Sequence, residues 1–161
     1  MRPVWFAVTL VVQTAPAALA QTVSLEGVEG QARTISAAEL RAMPHQTVTL
    51  RSEDGTPVRY EGVPLSLLLQ SVGVPTGKAL RGPEMADVVM VSATDGYRVA
   101  LSLAETDPSM RGEAVLLADR AGGAALSARD GPFRLIVEGD KRPARAERMV
   151  RDIRLVRPAV K

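Results

Sequence analysis

The sequence predicts an α+β fold, a mixed β-sheet or barrel-like domain with short helices. Two observations support this prediction: most apolar segments are short runs with strand-like patterns, and only two segments carry clear helix signals. Turn pairs that contain glycine, aspartate or proline separate these segments. With 161 residues, of which 46% are apolar and 3% aromatic, the chain can build one core from Val, Leu, Ala and Ile.

Residues 1–20 have the pattern of a secretory signal peptide. One basic residue precedes an apolar stretch too short to span a bilayer, and residues 18–20 form an A-x-A cleavage pattern. We therefore expect cleavage after Ala20, a periplasmic or secreted location, and a single domain over residues 21–161. No second long apolar stretch follows, so no membrane span is expected in the mature chain. The absence of cysteine excludes disulfides and thiolate chemistry within this sequence.

Two short helices are predicted in the first half of the chain. Ser36 is a good N-cap, Glu39 completes a capping box three residues later, and Pro44 ends this helix. The second helix is expected to begin at Pro64, since proline favours the first helical position, and to stop at Gly73.

The strands follow from alternation and from β-branched runs. They are predicted at residues 22–25, as an edge strand, and at 47–52, 58–63, 87–93, 98–101, 114–118, 133–137 and 153–156. Asp54-Gly55 and residues 94–97 supply hairpin turns, and residues 103–106 are expected to form a single helical turn.

Basic charge is concentrated at the C-terminal end. Residues 141–161 carry eight Lys and Arg against two acidic residues, whereas residues 21–140 carry 11 against 16. The arginines from Arg142 recur every third residue, a spacing that no single helix or strand can direct at one ligand. Pro143 favours an irregular loop, whose guanidinium groups can bind phosphate or carboxylate. A solvated face that pairs with the acidic remainder of the chain is an equally open interpretation.

Other polar residues give weaker signals. His45 has no second His or Cys with which to complete a zinc site, and a loop histidine without a role is favoured. In the turn at Gly96, Tyr97 can face a ligand or pack on the sheet, and Arg98 follows it. Ser52 opens the turn at Asp54-Gly55, for which a simple hairpin is favoured. No catalytic or metal-ligating residue is assigned, and nucleic acid is not an expected partner because aromatic residues are few.

Several of these segments, in this order, resemble the molybdopterin-binding domain of the sulfite oxidase-like oxidoreductases. The similar segments are S-A-A-E-L at 36–40 with Met43-Pro44, Y-E-G-V-P-L at 60–65 with the leucines at 67–69, S-A-T-D-G-Y at 92–97, V-L-L-A at 115–118, G-P-F-R-L-I-V at 131–137 and I-R-L-V at 153–156. The resemblance covers roughly residues 25–156. It implies the fold of that domain and makes molybdopterin a candidate cofactor.

The resemblance also implies site residues. Family enzymes place basic loop residues against the pterin phosphate, and the expected contacts here are Tyr97, Arg98, Lys141, Arg142, Arg145 and Arg148. Family enzymes ligate molybdenum through one cysteine. By alignment of the similar segments, that position falls at about Ser52 in this chain. A serine hydroxyl is a poor substitute for a soft thiolate.

We therefore expect an exported ligand- or partner-binding module that lacks the metal-ligating cysteine. The alternatives are a molybdopterin-dependent oxidoreductase with atypical metal ligation and a structural envelope protein. Expected partners are an anionic small molecule or pterin phosphate, and a periplasmic redox protein.

Overall fold

The computed structural model describes residues 21–52 and 54–159, so the predicted signal peptide lies outside the described residues. The strands are β1 (Thr22–Glu26), β2 (Ala32–Ser36), β3 (Gln46–Arg51), β4 (Pro57–Pro64), β5 (Val88–Ala93), β6 (Arg98–Ser102), β7 (Val115–Ala121), β8 (Ala124–Ala125), β9 (Arg134–Val137) and β10 (Val150–Val156). The α-helices are α1 (Ala37–Ala42) and α2 (Leu65–Gln70). Short 3₁₀ turns cover Gly77–Ala79, Gly82–Ala86, Ala104–Thr106 and Pro143–Arg145. The α+β prediction is confirmed.

The strands form one mixed sheet and one antiparallel sheet. The first has the order β2-β1-β10-β5-β6, and only its β1–β10 pair is parallel. The second runs β3-β4-β7, and both β8 and β9 pair with β7. Strand β1 pairs with β2 on one side and with β10 on the other. The prediction of an edge strand at residues 22–25 is therefore wrong. Its partner comes from the far end of the chain, which no local pattern reveals.

The main core is built by side chains of both sheets and both helices. Leu25 and Ile153 come from the first sheet, Leu117 and Leu135 from the second, and all four are almost fully buried. The alternate residues of β7 and β9 are also buried, in a smaller cluster that consists of Val48, Tyr60, Leu116, Ala118 and Ile136. Strand β7 is therefore apolar on both faces, as expected of a central strand.

The two helices differ from their predictions mainly at their ends. In α1 the capping box is present: Ser36 Oγ accepts from the Glu39 amide at 3.2 Å, and Glu39 Oε2 accepts from the Ser36 amide at 2.8 Å. Helix α2 begins one residue after Pro64 and ends before Gly73. Its last turn closes early because Ser71 Oγ donates to the Leu68 carbonyl at 2.7 Å.

Two strands, β2 and β8, and the start of β10 were not predicted. Strand β2 has a single buried side chain, at Ile35, so its pattern is too polar to indicate a strand. Strand β10 begins at Val150, three residues before the predicted start at residue 153. The irregular basic loop is confirmed, since a 3₁₀ turn at Pro143–Arg145 lies within it.

Candidate functional site

An open groove with a volume of about 860 Å³ lies between the turn after β3 and the segments that flank β9. This volume is in the range of small-molecule sites. Its charged lining residues are Arg51, Arg129, Arg134, Arg142, Arg148, Asp54 and Asp130. We call this site the arginine groove. Among the described lining residues, five arginines against two carboxylates leave an excess of three positive charges, a charge balance that favours anions.

One wall of the groove is the turn that follows β3. Ser52 Oγ donates to Asp54 Oδ1 at 2.5 Å and lies 3.0 Å from the Thr56 carbonyl oxygen. The Thr56 amide also donates to Asp54 Oδ1, at 2.9 Å. The hydrogen bond from Ser52, with those from Thr56, lowers the pKa of Asp54 to about 2. Ser52 therefore lines the groove, but its hydroxyl takes part in a tight hairpin turn.

Arg134 of β9 forms the inner part of the groove. Only 13% of its side chain is exposed, and its Nη1 donates to the Tyr60 hydroxyl oxygen at 3.1 Å. Its Cζ lies 5.3 Å from the centre of the Tyr60 ring. The buried Nε atom has no hydrogen-bond partner among the described residues. Arg134 is thus a largely desolvated cation at the groove, and charge-assisted hydrogen bonds from such a guanidinium group to an anion are strong.

Arg148 shares a carboxylate partner with Arg134, and further arginines line the groove. Arg148 Nε lies 3.1 Å from Asp130 Oδ1, and Arg134 Nη1 lies 3.4 Å from the same oxygen. Arg142 and Arg129 are exposed lining residues. Sequence reasoning did not select Arg51, Arg129 or Arg134. A usable signal existed for Arg134 alone, as the single charge inside an apolar strand segment.

Of the predicted contact residues, Arg142 and Arg148 lie at the groove. Lys141 is exposed and is not part of its lining. Arg145 does not line it either: its Nε and Nη2 donate to the two oxygens of Asp140 at 2.9 and 2.6 Å, and its Nη1 donates to Glu105 at 2.7 Å. The hydrogen bonds to Asp140, with the charge of Glu105, raise the pKa of Arg145 above its usual range. Arg145 is therefore neutralised by the acidic remainder of the chain.

The β5–β6 turn supports the basic loop and is not part of the groove lining. Tyr97 is exposed, and its hydroxyl donates to the Ala144 carbonyl at 2.9 Å. Asp95 Oδ1 accepts from the Tyr97 amide at 2.9 Å, which shapes the turn. Arg98 begins β6 and is exposed outside the groove lining. Tyr97 thus contacts the segment that carries the groove arginines.

His45 joins the end of α1 to β7. Its Nδ1 lies 2.7 Å from the Met43 carbonyl oxygen, and its Nε2 lies 3.1 Å from Asp119 Oδ1. Both ring nitrogens of His45 are therefore engaged in contacts within the fold. Within the described residues, no group of three or more His, Cys, Asp and Glu side chains is arranged to hold a metal ion. The same part of the chain contains no helix with the length and apolar character needed to cross a membrane.

Comparison with known proteins identifies the family of the chain. The family model "Oxidoreductase molybdopterin binding domain" matches residues 12–158. Among solved structures, the sulfane dehydrogenase SoxCD from Paracoccus pantotrophus is similar, with 21% identity and a TM-score of 0.63. The similarity covers 86% of this chain and 39% of that chain, and at this identity it shows the fold alone. No curated protein matches the sequence. The resemblance inferred from the ordered motifs is thereby confirmed, and the chain belongs to the oxidoreductase molybdopterin-binding domain family.

Proposed function

We propose that the protein binds a phosphate-bearing pterin, or a small anion of similar chemistry, in the arginine groove. It acts as a binding module without a protein thiolate on a metal. The observation that carries this proposal is the convergence of five arginines on one concave surface, with Arg134 largely buried at its inner part.

The donor chemistry of the groove fits a phosphate group. Guanidinium groups present paired N–H donors whose geometry matches phosphate oxygens. Arg134 is 13% exposed and largely desolvated, and neither Arg129 nor Arg142 makes an ion pair within the described residues. These three side chains, with Arg148, would hold the phosphate of a bound pterin.

The residues at the groove do not fit the usual protein ligand of molybdenum. Ser52 lies on the groove wall near the position where the family has its cysteine, and the chain contains no cysteine. Its hydroxyl is hydrogen-bonded to Asp54, and a serine hydroxyl loses its proton far less readily than a thiol. We therefore derive no metal-centred step for this protein.

Phosphate titration of the full chain tests the proposal. We expect inorganic phosphate to bind at low ionic strength, and Arg134→Gln or Arg142→Gln to weaken binding by about tenfold each, because each removes a charge-assisted hydrogen bond. Arg98→Gln and Lys141→Gln are matched controls, since they remove the same charge outside the groove lining. Equal losses in groove and control variants would contradict a site at the groove.

The second candidate function is a molybdopterin-dependent oxidoreductase with atypical metal ligation. The position of Ser52 on the groove wall favours it, because a ligand at that place could approach a bound pterin. Metal and pterin analysis of protein purified from molybdenum-replete cells separates the two functions. Pterin without stoichiometric molybdenum is expected for the binding module. Stoichiometric molybdenum that is lost in Ser52→Ala would establish the second function instead.

We further propose a periplasmic or secreted location and a redox protein as partner. The first rests on the pattern of residues 1–20, and the second on membership of an oxidoreductase family. Terminal sequencing of the protein from fractionated cells is expected to begin at Gln21. An intact Met1 in the cytoplasmic fraction would show that the location is wrong.

A further inference from the structure

Of the groove carboxylates in the described part of the chain, Asp130 is the one that contacts the groove arginines. Its Oδ1 lies 3.1 Å from Arg148 Nε and 3.4 Å from Arg134 Nη1. The other groove carboxylate, Asp54, has its hydrogen bonds with Ser52 and Thr56. We propose that Asp130 is an internal counter-anion, which occupies Arg148 until an incoming phosphate group takes its place.

The carboxylate of Asp130 is held in position by its own turn. Its amide donates to the Ser127 carbonyl at 3.0 Å, and Ser127 Oγ donates to Asp130 Oδ2 at 3.2 Å. The Met149 amide donates to the Asp130 carbonyl at 3.1 Å. A bound anion therefore cannot displace Asp130 easily, and an arginine must move instead.

Arg148 is the arginine that can move. Its side chain is 41% exposed, and Asp130 is its ion-pair partner among the described residues. Arg134 is 13% exposed and is also held by Tyr60, so it keeps its place. Arg148 thus alternates between Asp130 and the phosphate, whereas Arg134 can contact both at once.

This arrangement sets the strength of anion binding. Every ligand must replace the Asp130–Arg148 contact and must also approach a fixed negative charge. A partly exposed ion pair corresponds to about a fivefold change, at most, in an equilibrium constant. A doubly charged phosphate group regains this loss by contacts with several arginines, and a singly charged carboxylate regains less of it.

Phosphate titration of the full chain and of charge variants tests the inference, which rests on the proposed function of the groove. We expect Asp130→Asn to bind inorganic phosphate about fivefold more tightly than the unmodified protein. Asp54→Asn is the matched control. It removes one negative charge from the same lining, but asparagine keeps an acceptor oxygen for Ser52 and Thr56, so we expect a smaller gain.

A double-mutant cycle isolates the contact itself. In an Arg148→Gln background, Asp130→Asn is expected to give no more gain than Asp54→Asn gives, because the competing pair no longer exists. Thermal unfolding of each variant checks the fold, and Asp130→Ser, which keeps a small polar side chain, replaces Asp130→Asn if that variant does not fold.

The outcomes separate this inference from the proposed function. Tighter phosphate binding by Asp130→Asn that disappears in the Arg148→Gln background supports the inference. Measurable binding by Asp130→Asn also supports it if the unmodified protein binds too weakly to measure. If the unmodified protein binds phosphate and Asp130→Asn binds equally, more weakly, or no better than Asp54→Asn, the inference is wrong and the function stands. If no variant binds phosphate, both are wrong.

Discussion

Glu147 is a buried carboxylate in the segment that carries Ala146 and Arg148 to the groove. The residue is 3% exposed, and neither of its side-chain oxygens has a hydrogen-bond partner among the described residues. Burial raises its pKa to about 7, and the negative charge of Asp95 adds to the rise. The nearby Ala93 amide offsets only part of this, because it donates its hydrogen bond to the Tyr97 carbonyl at 3.0 Å.

The raised pKa of Glu147 predicts that stability falls as pH rises. The folded chain holds the proton up to about pH 7, whereas the unfolded chain releases it near 4.5. The stabilisation is therefore fully present below 4.5 and is lost progressively as pH rises through about 7. At 1.36 kcal/mol per pKa unit, the loss in the free energy of unfolding is at most about 3 kcal/mol.

Urea unfolding of Glu147→Gln and of the unmodified protein at about pH 5 and about pH 8 checks this value. Glutamine keeps the shape but cannot ionise, so we expect it to remove about 2 kcal/mol of the pH-dependent loss and to stabilise the protein at the higher pH. Glu113→Gln is the matched control, since its side chain is 55% exposed. The reasoning is refuted if Glu147→Gln and the unmodified protein lose the same free energy between the two pH values.

Three further predictions concern a strand, a helix cap and the basic loop. Gly62→Ala should lower the free energy of unfolding by about 2 kcal/mol or more, because the added Cβ would lie 2.4 Å from the Leu117 carbonyl oxygen; a change below 0.5 kcal/mol in urea unfolding would contradict this close approach. Ser36→Ala removes the helix cap and should cost about 1 kcal/mol in the same assay, and an unchanged unfolding midpoint would show that the cap is not needed. Arg145→Gln should speed hydrogen exchange in the loop at residues 141–146, whereas unchanged exchange would show that Asp140 and Glu105 do not hold this loop.

Local features of the fold were predictable from neighbouring residues. The capping box of Ser36 and Glu39 and the hairpin turn at Asp54-Gly55 depend on side chains within four positions of one another. The irregular loop at Pro143 follows from the constraint that proline places on its own backbone. The internal position of β1 and the early start of β10 were missed, because both depend on pairing with strands far away in the sequence.

The candidate site was predictable only in part. Arg142 and Arg148 were selected because they stand in a visible run of basic residues. Arg134 was missed because its strand has an apolar pattern, and its partner Tyr60 lies 74 positions earlier in the chain. Arg145 was selected with its neighbours, yet Glu105, 40 positions away, is one of the two carboxylates that neutralise it.

The sequence by itself determined the α+β class, the family, and the presence of an excess of arginine near the C-terminal end. These depend on composition and on the order of short motifs, which need no knowledge of long-range contacts. The tertiary structure alone decided which arginines face one groove and which are paired elsewhere. A guanidinium group whose nitrogens are all taken up by carboxylates, as in Arg145 with Asp140 and Glu105, has little left for a ligand. Contacts such as Arg145–Glu105 and Arg148–Asp130 depend on how distant segments pack together.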